Sequence, residues 1–414
     1  MKEGYKKTAI GNIPIDWSLN TVGDVIKFEG GAQPPKEHFV NEEKEGYIRL
    51  IQIRDYKTDE YMTYIPKDMA RKFCTEDDIM IGRYGPPIFQ ILRGLEGAYN
   101  VALLKAIPDE GVLNREYARY FLSTEKLFKL IDRLSQRTSG QTGVDMEALN
   151  NYLIPIPPLK EQEKIAEILS TVDCQIDDTE KLIEKCRVLK KGLMQRLLTK
   201  GIGHTEFKKT EIGEIPVGWE VDNDFIKIFS GFGFKYSEYS YEGIPLIRIN
   251  NVTHGKILDE DWSYLPNEYK EEYKEYVIKK GDVLLALNRP ITQGKLKICI
   301  VNIEEAILYQ RVGKLIMDSD IYCPTFYYYY MQSEKFMKKL ESGLVGTDQP
   351  YIKNSEFKDI KFPIPSLDEQ LKIVEVLSYV DNEIEEYENR KQKLEELKKG
   401  LMQQLLTGNI RTMK

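Results

Sequence analysis

KGLMQRLLTKG, residues 191–201, returns near the other end of the chain as KGLMQQLLTGN, residues 399–409. Upstream of the first copy stands Ile154-Pro155-Ile156-Pro157-Pro158-Leu159-Lys160-Glu161-Gln162, and upstream of the second Phe362-Pro363-Ile364-Pro365-Ser366-Leu367-Asp368-Glu369-Gln370. Further back, KKTAIGNIPIDW from Lys6 matches KKTEIGEIPVGW from Lys208. Between these anchors the match is weaker but ordered. Leu50-Ile51-Gln52-Ile53-Arg54 faces Leu246-Ile247-Arg248-Ile249-Asn250, and Glu76 to Met80 faces Lys280 to Leu284. One unit is therefore written twice, with like ends and a diverged middle. Two copies are too few for a solenoid, so a domain plus its connector has been duplicated.

The connector reads as helix. After the Pro-rich stop, apolar residues recur at steps of four and three: Ile165, Leu169, Val172, Ile176, Ile183, Cys186, Leu193 and Leu197. The second copy keeps the phase with Ile373, Leu377, Val380, Ile384, Leu394, Leu401 and Leu405. Such a heptad seam predicts two long helices, 159–200 and 367–414, each about 60 Å long at ~1.5 Å per residue. A lone helix of that length, polar on its other faces, buries its seam best against another like it. Ser366-x-x-Glu369 fits a capping box, and Gly201 and Gly408 stand where C-terminal caps belong. Thr179, Lys190, Tyr387, Lys391 and Lys398 interrupt the seam with polar groups, which can fix register. Gly192 and Gly400, at equivalent places inside the helices, suggest close packing or a bend.

The regions 1–158 and 201–366 read as mixed α/β domains. Tyr47 to Ile53, Ile79 to Gly82, Pro245 to Ile249 and Asp282 to Leu287 have strand character, and helices are expected over Glu116 to Leu134 and Pro324 to Leu340. The expected class is α+β: two mixed α/β domains alternating with two long helices, related by a pseudo-twofold internal repeat. The Tyr327 to Tyr330 run falls within a helix and is read as core rather than as a base-stacking platform.

The chain has 414 residues, 42% hydrophobic and 30% charged, the balance of a globular protein. Its first residues are polar, and no long apolar run occurs, so a cytoplasmic protein without a membrane span is expected. Five cysteines form no C-x-x-C pair and three histidines stand far apart, which argues against a zinc site and against imidazole catalysis. The net charge is −7, the wrong sign for holding DNA by charge alone. A DNA reader with that balance needs local basic patches or a partner that supplies the phosphate contacts.

With its IG-x-IP motifs ending in Trp17 and Trp219, its IP-x-P-x-L-x-EQ helix starts and its KGLMQ-x-LLT helix ends, the chain resembles the specificity subunits of type I restriction-modification systems over nearly its whole length. The first copy has GYIRLIQIRD where P-x-I-R is more usual. The resemblance implies that each diverged domain is a target-recognition domain reading one half of a split site in double-stranded DNA. It also implies that the helices pack as an antiparallel coiled coil and serve as a spacer. Two modification (methyltransferase) subunits would clamp around them and restriction subunits would join. On that view the chain is not an enzyme and binds no cofactor or metal itself, while the assembled complex uses S-adenosylmethionine, ATP and Mg2+ through its partners.

Motifs that tempt toward enzymology fail on context. Phe229-Ser230-Gly231-Phe232-Gly233 spells F-x-G-x-G, but no apolar helical period follows, and Gly30 is taken as the first-copy counterpart of Gly231, a structural turn. No D/N-P-P-Y/F and no phosphate-binding G-x-x-x-x-G-K-[S/T] is present.

Base reading needs arginine for guanine and amides for adenine. Such residues follow the G-D-V-L-like strand in each copy: Arg83, Tyr84, Gln90 and Arg93 in the first, and Asn288, Arg289, Gln293, Lys295 and Lys297 in the second. Gln141, Gln349 and the strand end bearing Arg248 and Asn250 are second candidates. Other readings stand beside this one: a recognition subunit of a related system with a fused catalytic partner, a methyltransferase, and a coiled-coil adaptor that touches only proteins. A methyltransferase, or a fused restriction enzyme, predicts that the isolated chain binds S-adenosylmethionine; the adaptor predicts no sequence-dependent retention of DNA even with partner subunits present.

Overall fold

The structure, a computed structural model, describes residues 4–136, 143–258, 260–346, 349–353 and 357–412. The chain divides into two compact units, one made of residues 1–180 with 389–414, the other of residues 181–388. Each unit therefore contains the first part of one long helix and the last part of the other.

In the first unit, Ile26–Gly30, Leu103–Pro108, Ile79–Gly82 and Ile91–Leu92 form an antiparallel sheet in that spatial order. A second sheet runs Tyr64–Pro66, Tyr47–Ile51, Gly97–Tyr99, Phe73–Cys74, with one parallel pair between Tyr47–Ile51 and Gly97–Tyr99. The second unit repeats both. Lys227–Ser230, Val312–Ile316, Val283–Ala286 and Ile298–Ile300 make the antiparallel sheet. Ser263–Leu265, Ile244–Ile247, Glu305–Leu308 and Val277–Lys279 make the mixed one, again with a single parallel pair. The repeat seen in sequence is thus a repeat of topology, including the diverged middle.

A largely shielded, half-buried ion pair marks each copy. Lys105 Nζ lies 2.6 Å from Asp78 Oδ2, and Lys314 Nζ lies 2.7 Å from Asp282 Oδ2, in both cases across neighbouring strands. Each aspartate also accepts a backbone N–H three residues before it, from Thr75 or Lys279, which closes the turn into the strand. Burial pushes the Asp78 carboxyl up, but Lys105 and Thr75 outweigh it and hold it below the ordinary value.

The long helices span Leu159–Lys200 and Leu367–Leu405. Within the first unit Asp173 meets Lys398 and Glu180 meets Lys391; within the second Lys190 meets Asp381 and Arg187 meets Glu388. Rising numbers on one helix face falling numbers on the other, so in each unit the helix segments pack antiparallel. Ile165, Leu169, Val172, Ile183, Leu197, Ile373, Leu377, Val380 and Leu405 are buried, while Ile176, Leu193, Ile384, Leu394 and Leu401 are half-buried. Lys190, Lys391 and Lys398, which break the apolar pattern, carry three of these four ion pairs. The seam continues into the domain cores: Ile165, Leu169, Leu405 and Leu406 join the first core, and Leu197, Leu198, Ile373 and Leu377 the second.

Several expectations are corrected. The helix expected over Glu116 to Leu134 is two, Arg115–Leu122 and Glu125–Ser135, and that over Pro324 to Leu340 is also two, Pro324–Met331 and Glu334–Ser342. Serine stands at both breaks. Ser123 Oγ donates to the Arg119 carbonyl and Ser333 caps the next helix, so their side chains compete with the helical ladder. The second long helix stops at Leu405, and Gly408 follows at φ 71°, a left-handed conformation suited to glycine. A side chain at Gly192 or Gly400 would meet nothing within 4 Å, so close packing within this chain is not their purpose. The first-copy counterpart of Gly231 is Gly31 rather than Gly30. A Cβ on Gly31 would lie 2.0 Å from the Asn100 carbonyl oxygen, and one on Gly231 would lie 2.2 Å from that of Leu308. Passing backbone fills the space beside Gly231, which leaves F-x-G-x-G a structural crossing. Tyr327 to Tyr330 are all buried.

Candidate nucleic-acid interface

The repeated motifs build a joint at one end of each unit. Gln162 is fully buried; its Oε1 accepts from Asn114 N, and its Nε2 donates to the carbonyls of Val112 and Pro157. Gln370 does the same with Cys323 N, Ile321 O and Pro365 O. The neighbouring glutamates bind the tryptophans: Trp17 Nε1 donates to Glu161 at 3.0 Å and Trp219 Nε1 to Glu369 at 2.9 Å. Each glutamate also takes hydrogen bonds from the chain leaving the antiparallel helix, from Arg411 onto Glu161 and from Ile202 N and His204 onto Glu369. At Ser366-x-x-Glu369 only half of the capping box forms: Glu369 N donates to Ser366 Oγ, while the Glu369 carboxylate serves this joint. The motifs that look like a signature thus hold the helix ends to the domain and leave the far loops free to vary.

Those loops are built alike. In the first unit the strand Ile79–Gly82 runs into Arg83, whose N–H donates to Ala102 O and whose carbonyl accepts from Val144 N. Tyr84 pairs with Gly143, two residues after the nominated Gln141. In the second unit Leu287 N donates to Arg311 O, Arg289 N donates to Pro350 O, and Asn288 pairs with Tyr351. In both units, then, three chain segments far apart in sequence meet at the end of one strand.

The nominated residues separate into two groups. Arg83 lies over the Tyr84 ring, 5.3 Å from its centroid, on a loop where Gln90 Nε2 donates back to Pro87 O. Arg289, Gln293 and Lys295 are exposed on a hairpin, with Asn288 half-buried at its base and Gln349 exposed beside Pro350. Arg83, Arg289 and Lys295 make no ion pair among the described residues. Arg289 and Gln293 hold φ of 45° and 53°, a conformation that costs residues other than glycine about 1 to 3 kcal/mol.

The second group is engaged within the protein. Arg93 reaches both carboxylate oxygens of Glu116 at 2.9 Å, and Arg248 donates to the Asp261 carbonyl and carboxylate. Lys297 Nζ donates to Ile249 O, and burial pulls its amine below the ordinary lysine value. These three are tied down, and Asn250 next to Ile249 remains exposed. Gln141 lies outside the described residues. Sequence reading overlooked Gln310 and Arg311, both exposed on the turn before Val312–Ile316. The only available signal was a basic residue at a strand start, which alone is too common to single out.

A family model described as "Type I restriction modification DNA specificity domain" matches residues 14–186 and again 216–396. The chain belongs to the type I restriction-modification specificity subunits. Its two matches coincide with the repeat. This specificity subunit is 39% identical over 421 residues to the type I restriction enzyme MjaVIII specificity subunit of Methanocaldococcus jannaschii, covering 99% of this chain and 96% of that one. Its fold is similar to the crystal structure of the type I restriction-modification S subunit from M. genitalium, with a TM-score of 0.60, 18% identity, and 94% and 96% of the two chains covered. A chain from a type I system studied for complex assembly and conformational transition gives a TM-score of 0.52 at 16% identity, covering 96% of this chain and 99% of that one. As a specificity subunit the protein recognises DNA. Among the described residues no group of His, Cys, Asp and Glu is placed to hold a metal ion, and no helix is long and apolar enough to cross a membrane.

Proposed function

We propose that this specificity subunit reads a bipartite target in double-stranded DNA, one half-site per recognition domain, and that modification and restriction subunits dock on its conserved helices. The recognition domains are residues 1–158 and 201–366, and the docking elements are 159–200 and 367–414. Arg83, Tyr84, Gln90 and Gln141 serve the first half-site; Asn288, Arg289, Gln293, Lys295 and Gln349 serve the second. Arg93, Arg248 and Lys297 hold the reading loops in place. Methylation, cleavage and ATP hydrolysis fall to the partners, which use S-adenosylmethionine, ATP and Mg2+.

One observation carries this reading: two loops on equivalent scaffolds each present an arginine with no carboxylate partner among the described residues, in surroundings that have diverged. Like scaffolds with unlike side chains suit two unlike half-sites. The net charge of −7 opposes DNA, so the lone chain binds weakly and gains most of its affinity once a modification subunit is added.

The test is methylation mapping by the assembled complex. Arg83→Ala relaxes one half-site and Arg289→Ala the other, each at a cost of about 1 to 3 kcal/mol in discrimination. Relaxation of both half-sites by either substitution, or tight, salt-insensitive, sequence-specific binding by the chain alone, overturns the assignment.

A further inference from the structure

We propose that the Gln310–Arg311 turn is a specificity element of the second unit, with the Arg311 guanidinium reading a guanine beside the base read by Arg289. The inference rests on the half-site reading above and deepens it.

The turn and the reading loop are joined through backbone. Leu287 N donates to Arg311 O at 2.9 Å, and two residues on, Arg289 N donates to Pro350 O at 2.7 Å. The turn itself is closed by Val312 N on Tyr309 O and fastened by Gln310 N on Phe232 O. Arg311 is exposed, makes no ion pair among the described residues, and holds φ at 70°. Glycine or asparagine would occupy that conformation with less strain. An arginine kept there against backbone preference points to a use for its side chain.

The first unit supplies a comparison. There Arg83 N donates to Ala102 O at 2.8 Å, so the same turn meets the same loop, but its residues are Val101 and Ala102. Two guanidinium groups stand in the second unit where the first has one. A guanidinium can give two parallel hydrogen bonds to guanine O6 and N7 in the major groove, whereas alanine offers only an apolar contact such as that with the thymine methyl. This turn is therefore a place where the two halves of the target come to be read differently.

Methylation is mapped genome-wide with the full chain assembled with its modification subunits, carrying Arg311→Ala, Arg311→Asn, Arg311→Lys or Arg289→Ala. Arg311→Ala is expected to relax one G·C position of the second half-site about ten- to a hundred-fold and to leave the first half-site unchanged. Arg311→Asn, which tolerates the positive φ and guards against a folding defect, is expected to move that position toward A·T. Lysine, a point charge, does not restore the lost discrimination. If the three Arg311 variants keep every position as it was while Arg289→Ala relaxes one, the inference falls and the half-site reading survives. If Arg311→Ala lowers methylation evenly over all sequences and lysine restores it, the residue contacts phosphate and the inference also falls. Silence of Arg289→Ala as well removes the half-site reading beneath it.

Discussion

Gln162 and Gln370 show how much one side chain can carry. Each is fully buried and satisfies three backbone groups at the point where a domain hands over to its helix. Leaving buried backbone groups unpaired costs about 1 to 3 kcal/mol apiece. Gln370→Leu is therefore expected to destabilise the second unit by roughly 2 to 5 kcal/mol. Chemical denaturation of the full chain measures this, with the exposed Gln392→Ala staying within about 0.5 kcal/mol as the control. A loss under 1 kcal/mol for Gln370→Leu would show that the joint has another support. Gly192 and Gly400 call for the opposite change. Each lies exposed inside a helix with open space around it, so Gly192→Ala and Gly400→Ala should each stabilise the free chain by about 0.5 to 1 kcal/mol in the same experiment.

At the scale of elements, the three lysines in the helix seam are paired across it. Burial pushes the Asp173 carboxyl up, but Lys398, Tyr120 and Arg119 outweigh it and hold the group below its ordinary value. A depressed carboxylate contributes stability that is complete above the unfolded-state value, near about 4, and is lost as pH falls through the folded-state value. Asp78 is shifted the same way by Lys105 and Thr75 against its own burial. Both belong to the first unit, so its denaturation midpoint should drop as pH is lowered below about 4, and Asp173→Asn should flatten part of that slope. An unchanged slope in the variant would assign the acid sensitivity elsewhere. The element boundaries show what periodicity can and cannot reveal. A heptad pattern placed the first long helix at 159–200, where it is found, because one seam repeats over many turns. The breaks at Ser123-Thr124 and Gln332-Ser333 were invisible to it, since a local side-chain hydrogen bond outcompetes the ladder without disturbing the apolar pattern.

For the molecule as a whole, the second unit is one continuous stretch of chain, whereas the first is assembled from two. The first takes Leu405 and Leu406 into its core, accepts Tyr5 Oη on the Gly408 carbonyl, and seals Glu161 and Asp16 with Arg411. A chain ending at Glu388 is thus expected to keep residues 181–388 resistant to limited proteolysis while residues 1–180 become labile, read by mass spectrometry of the fragments. Equal resistance of both segments would mean that the first unit stands without its returning helix.

Sequence alone determined the duplication, the two long helices, their seam and the family, because each of these is written as a pattern of residue types at fixed spacing that survives whatever the loops do. It also located the loops that follow the G-D-V-L-like strands. Only tertiary structure decided which nominated cations are available. Arg93 is taken by Glu116, Arg248 by Asp261 and Lys297 by the Ile249 carbonyl, partners whose nearness depends on strand order rather than on spacing. The same holds for Arg311, which joins the reading loop because the Val283–Ala286 and Val312–Ile316 strands are neighbours in the sheet. A hydrogen bond forms where two segments meet, and the place of meeting is set by the fold.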